Sequence, residues 1–142
     1  MRTYACGRYG RQIVVHLGKG EKVQEGILSA CRALELNDAV VTSGIGSLRK
    51  VRYHRIASTQ DLPANEYLTV EGPIEMCALQ GLILDGEPHL HITCCDRERA
   101  FGGHLEEGCE VQYLAEISLM ELTDADLVRR LDGAGVSYID RR

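Results

Sequence analysis

Residues 74–94 read Ile74-Glu75-Met76-Cys77-Ala78-Leu79-Gln80-Gly81-Leu82-Ile83-Leu84-Asp85-Gly86-Glu87-Pro88-His89-Leu90-His91-Ile92-Thr93-Cys94. Residues 74–84 have the apolar content of one strand, and residues 89–94 that of the next. Between them Asp85-Gly86 is a hairpin signal, because a two-residue turn needs positive φ at both positions. Two strands joined so tightly run antiparallel.

Upstream, residues 12–17 read as a strand that Gly18-Lys19-Gly20 breaks. Across 21–36, Val23, Ile27, Cys31 and Leu34 fall at i, i+4, i+8 and i+11, one stripe of a helix. Gly26 sits inside it at a cost of about 1 kcal/mol relative to alanine, and Asn37-Asp38 ends it. Residues 39–43 form a second strand, Gly44-Ile45-Gly46-Ser47 a turn, and 48–56 a strand with one wet face. A loop follows at 58–65, with Pro63. Residues 67–70 make a short strand that Gly72-Pro73 punctuates.

Downstream, a charged loop at 96–99 leads to Phe101-Gly102-Gly103-His104-Leu105. Residues 110–122 are the longest strand, with Val111, Tyr113, Ala115, Ile117 and Leu119 on one face. Thr123-Asp124 looks like the cap of a short helix over 125–131, followed by a polar tail. One main helix among many hairpin-connected strands predicts an α+β domain built on an antiparallel β-sheet.

The chain has 142 residues, 44% hydrophobic and 26% charged. That is the length of one domain, 1–142, and a composition that excludes disorder. No apolar run approaches the roughly 18 residues of a membrane helix. No apolar stretch follows Met1 as in a signal peptide, so the expected location is cytoplasmic. Six cysteines, at 6, 31, 77, 94, 95 and 109, show no Cys-x-x-Cys spacing and are expected to be reduced.

The net charge of −5 is segregated: residues 1–58 carry ten basic and four acidic side chains, residues 59–126 two and fifteen. A uniformly basic nucleic-acid binder is excluded, whereas a single basic face is not. Arg49, Lys50, Arg52 and Arg55 are the candidate phosphate contacts, joined by Arg8 and Arg11; the alternative is a solvated strand face. No base-reading helix is visible.

His89, His91 and His104 lie within sixteen positions. In a strand, i and i+2 share a face, so His89 and His91 can converge on one ion. His104 joins them if the chain returns, and Gly102-Gly103 offer permissive backbone for that. Three histidines with an open fourth position describe a catalytic-type zinc site. The alternative has Leu90 and Ile92 facing the core while His89, His91 and Thr93 face water. His16 and His54 each stand alone in strand patterns and read as solvated or core histidines. Glu71, Glu75 and Glu116 are the candidate acid/base partners of a metal site.

Pro88-His89-Leu90-His91, Gly102-Gly103-His104-Leu105, Val111 and Glu116-Ile117 resemble the core signature of the PPC (plants and prokaryotes conserved) domain. The match continues through Gly18 to Glu21, Ser43-Gly44-Ile45-Gly46-Ser47-Leu48 and Glu75 to Gly81, covering about residues 10–122. The resemblance implies a compact α+β fold, an antiparallel sheet with a helix packed on it, assembled as a homotrimer. Plant members of that family are nuclear and DNA-associated through an AT-hook built on Arg-Gly-Arg-Pro. Prokaryotic members are single domains labelled DNA-binding. Gly7-Arg8-Tyr9-Gly10-Arg11 is not an AT-hook. The fold also resembles that of acetolactate decarboxylase, whose zinc is held by a His-x-His pair and a later histidine, an order that His89, His91 and His104 match.

Three readings follow. One is a DNA-binding regulatory protein with a three-histidine zinc site. Another is a zinc-dependent enzyme, a lyase or hydrolase, acting on a small carbonyl or ester. The third is a trimeric scaffold, in which trimerisation covers open sheet edges. The expected partners are the chain itself, DNA or a small-molecule ligand, with no membrane.

Overall fold

The computed structural model describes residues 1–6, 8–62 and 64–142. Gly7, in the segment compared with an AT-hook, and Pro63, in the expected 58–65 loop, lie outside the described residues. The elements in chain order are β1 (Tyr9–Gly18), α1 (Val23–Ala33), β2 (Ala39–Ile56), β3 (Asn65–Leu84), β4 (Glu87–Cys95), β5 (Ala100–Leu105), β6 (Glu110–Leu122), β7 (Leu127–Leu131) and β8 (Ser137–Arg141). Six strands form one antiparallel sheet in the order β1-β6-β2-β3-β4-β5. β5 also pairs with β2, so β2 to β5 close on one another. Among the described residues no helix is long and apolar enough to cross a membrane.

The β3–β4 hairpin turns at Asp85 (φ 53°) and Gly86 (φ 74°), as its dipeptide requires. Alternation along β4 buries Leu90, Ile92 and Cys94 and turns His91 and Thr93 outward. Gly81 of β3 (φ 143°) is needed for the pairing, because a Cβ there would lie 2.1 Å from the His89 carbonyl oxygen.

The helix buries Val23, Ile27 and Cys31 in one core with Val15, Leu17, Ile117 and Leu119. Each such apolar side chain stabilises by roughly 1.5–3 kcal/mol relative to exposure. Gly26 has a packing reason: a Cβ would fall 2.6 Å from Leu17 Cδ2. The helix ends earlier than Asn37-Asp38. Leu34 caps it, Glu35 adopts φ 53°, and the Leu36 N–H donates to the Cys31 carbonyl at 2.9 Å. That reversal exposes Leu34 and sends Leu36 into the core instead.

Other expectations are corrected. Gly44 and Gly46 make no turn; they lie inside β2, where Cβ atoms would meet Leu79 at 2.6 Å and the Leu114 carbonyl at 2.5 Å. They are there for close approach. Gly72-Pro73 likewise does not split β3. On β6, Tyr113 leaves the face of Val111, Ala115, Ile117 and Leu119, because a register shift between Gly46 and Leu48 bulges β6 outward there. The expected short helix at 125–131 is a hairpin, β7 paired with β8. A single isolated turn or two of helix is marginal. Asp132 Oδ1 accepts from the Ala134 and Val136 N–H groups and sets the reversal. Ala125 and Leu127 bury against Leu84 with Leu82, Leu122 and Ile139.

Candidate metal centre

Strand alternation brings the His89 and His91 rings together, centroids 5.3 Å apart and nearly parallel. β5 runs antiparallel to β4 with Ile92 opposite Gly103 and His91 opposite His104. Gly102 and Gly103 serve that pairing differently from the sequence expectation. Neither has a positive φ, yet a Cβ on Gly102 would sit 2.2 Å from the Ile92 carbonyl oxygen, and one on Gly103 2.3 Å from that of His54. They let three backbones pack closely. The His104 ring then lies 4.8 Å from His89 and 5.6 Å from His91, crossing both at 75°. One nitrogen from each of the three lies within 4.8 Å of the other two. A tetrahedral ion with bonds of 2.0–2.1 Å needs them roughly 3.3 Å apart. Side-chain torsions can vary that spacing, and three imidazole nitrogens are donors that suit a divalent transition metal.

A fourth histidine joins from β2. His54 pairs with His104 in register and stacks on it, centroids 4.4 Å apart. Its Nδ1 lies 2.5 Å from Glu106 Oε1, the imidazole N–H donating to the carboxylate. His54, His104 and Glu106 form a second group of donors within 4.8 Å. Burial, followed by the neighbouring His54 and His89, holds the His104 pKa down at about 4. Burial and then the Arg129 guanidinium lower that of His89. Both imidazoles are therefore neutral at pH 7, with a lone pair free for a metal.

The other candidates fall elsewhere. Glu71 pairs with Lys50 at 3.1 Å. Glu75 lines a cavity of about 510 Å³ together with Arg49, Cys95, Asp96, Arg97 and Tyr113. Glu116 is exposed on β6 opposite His16. None of the three reaches the histidines' donor groups. Of the basic set, Arg49 is ion-paired with Glu110, Lys50 with Glu71, and Arg55 with Glu66 at 2.8 Å. Arg52 donates to the Glu107 carbonyl at 3.1 Å. Arg11 forks onto Glu121, whose pKa it holds at about 2. The sequence reads His54 as a solvated or core histidine, whereas it stacks on His104 and bonds Glu106, a residue the sequence reading did not single out. Glu106 carried a signal, standing two residues from His104 at same-face spacing; His54 carried none, because only the β2–β5 pairing brings it in.

Residues 4–123 match the family described as the Plants and Prokaryotes Conserved (PCC) domain, also abbreviated PPC. The chain belongs to this family. The PCC domain here is similar in structure to the plant- and prokaryote-conserved protein of Pyrococcus horikoshii, at 28% identity and a TM-score of 0.77, covering 98% of this chain and 99% of that one. It shares its fold with a metal-containing protein of Archaeoglobus fulgidus (21% identity, TM-score 0.78, 95% of each chain). It also shares it with a candidate DNA-binding protein of Bacteroides thetaiotaomicron (18% identity, TM-score 0.78, 94% and 96%). In sequence it is 29% and 30% identical, over 116 and 121 residues, to the bifunctional protein GlmU of two Synechococcus strains. Those matches cover 81% and 84% of this chain, which spans 18% of the length of each of these curated relatives.

Proposed function

We propose that this PCC domain binds a divalent transition metal, zinc first, through His89, His91 and His104, and that this centre is its functional site. The observation that carries the reading is the convergence of three imidazoles from two strands, with one nitrogen of each within 4.8 Å of the others. The Archaeoglobus protein of this fold is metal-containing, an analogy of fold, and the order of the three histidines resembles that of the zinc ligands of acetolactate decarboxylase. Three histidines leave a position open for a ligand. A metal there supplies Lewis acidity and a water of lowered pKa, the chemistry a lyase or hydrolase of small carbonyl or ester compounds would use. The chain's own contribution is to hold His104 in place from both sides, by His91 and by the His54 ring that Glu106 anchors.

DNA association stands second. What favours it is the Bacteroides protein of this fold, named as a candidate for DNA binding. The ion pairs of Arg49, Lys50 and Arg55 leave those cations less free for phosphate than the sequence suggests. We propose a homotrimer as the assembly. Its support is exposed Val14 and Ile45 on the outer faces of β1 and β2, with Tyr113 and Leu114 on β6 between those strands; light scattering of the purified chain tests it.

Elemental mass spectrometry of untagged protein tests the metal reading. Near-stoichiometric zinc in the parent, lost in His91→Ala, is the expected result. Metal-free parent protein after zinc-replete expression overturns it and turns attention to salt-titrated DNA binding.

A further inference from the structure

The β7–β8 hairpin lies beyond residues 4–123, the part that matches the family. From it Arg129 lines a cavity of about 280 Å³, together with Gly81, Leu82, His89 and Ile139. Its Nε is shut off from solvent and has no hydrogen-bond partner. Among the ion pairs of the described residues none contains Arg129, although Glu87 lies near enough to act on its charge through space. A guanidinium N–H buried without an acceptor costs free energy, and native structures keep such a group where a water, an ion or a ligand supplies the acceptor.

We propose that Arg129 forms an anion subsite that takes the carboxylate of a small molecule with a short apolar body, seated against the three-histidine centre. The inference rests on the metal reading for the far side of the site, where His89 belongs both to the cavity and to the donor set. A dication held by the three imidazoles beside a guanidinium without an ion-pair partner would place like charges together. An anion between them answers both. The planar fork of arginine matches the two oxygens of a carboxylate. Leu82 and Ile139 give the walls that an aliphatic body would cover, and Gly81 adds no side chain to fill the space.

Calorimetric titration of the full chain with acetate, butyrate and inorganic phosphate tests this, with metal content measured on the same samples. Arg129→Met keeps the aliphatic stem, and Arg129→Lys keeps the charge without the fork. The expected result is butyrate tighter than acetate, each weakened about 10- to 100-fold in Arg129→Met and less in Arg129→Lys, with metal content unchanged. Should Arg129→Met fail to fold, the Arg129→Lys comparison decides. Unchanged carboxylate affinity in the variants, no carboxylate binding by the parent, or a preference for phosphate over butyrate overturns the subsite. A parent that binds no metal yet loses carboxylate binding in Arg129→Met overturns the metal reading and leaves the subsite standing.

Discussion

His104 on β5 stands opposite His91 on β4 in the antiparallel register, their rings 5.6 Å apart and crossed at 75°. One nitrogen of each lies within 4.8 Å of the other and of one from His89. Removing either member should therefore lower zinc affinity by more than about 100-fold, beyond what loss of an outer partner costs. Competition with a chromophoric chelator, on His91→Ala and His104→Ala, measures it. His16→Ala, on β1, is the control and should bind as the parent does.

In metal-free protein, stability should fall on mild acidification. The folded-state pKa of His104 is about 4 against an ordinary 6.5, through burial first and then His54 and His89. Between those values the unfolded chain takes up a proton that the folded chain refuses. The stability is fully present above about pH 6.5 and is lost as pH falls towards 4. His104 is only partly buried, so after screening the change is about 1–2 kcal/mol. Urea midpoints at pH 7 and pH 4.5 would show it. A His104→Asn variant should have a flatter profile, and equal slopes in the two proteins would remove His104 as the cause.

Gly103→Ala should damage the site without touching a ligand. Its Cβ would meet the His54 carbonyl oxygen at 2.3 Å and Tyr53 Cδ2 at 3.1 Å. Backbone cannot yield cheaply, so β5 must shift from β2 at a cost above about 2 kcal/mol. Thermal melting and zinc affinity should fall together; an unchanged melting temperature would contradict the close packing.

The thiols should divide by burial. Cys94 is fully buried, its pKa pushed up to about 12, and Cys109 is raised to about 11, by burial first in both cases. Cys6 and Cys77 are exposed. Brief alkylation of native protein, read by mass spectrometry, should mark Cys6 and Cys77 and spare Cys31, Cys94 and Cys109 until denaturant is added. Labelling of Cys94 in native protein would mean that β4 opens readily.

Any binding to duplex DNA should depend weakly on salt. With Arg49, Lys50 and Arg55 held by carboxylates, few cations of the candidate patch on β2 remain to displace counterions. The log–log slope should be about −2 or shallower. Fluorescence anisotropy across a salt series checks this, and a slope steeper than about −4 would show that those ion pairs open on the duplex.

The sequence by itself determined what is local. Asp85-Gly86 specified the hairpin because its turn chemistry lies in two adjacent residues, and the Val23, Ile27, Cys31 stripe specified the helix through its period. His-x-His put two imidazoles on one face for the same reason. Tertiary structure decided what depends on distant register. The β2–β5 pairing alone brings His54 and Glu106 to His104. The packing of Leu127 and Ile139 over Leu84 makes strands of a segment whose capping residues suggested helix. Cross-strand carboxylates pair with Arg49, Lys50 and Arg55 of the basic run on β2, and the C-terminal hairpin carries Arg129 to the cavity beside His89. Periodicity records which face a side chain takes; only the pairing of strands far apart in the chain decides what it meets there.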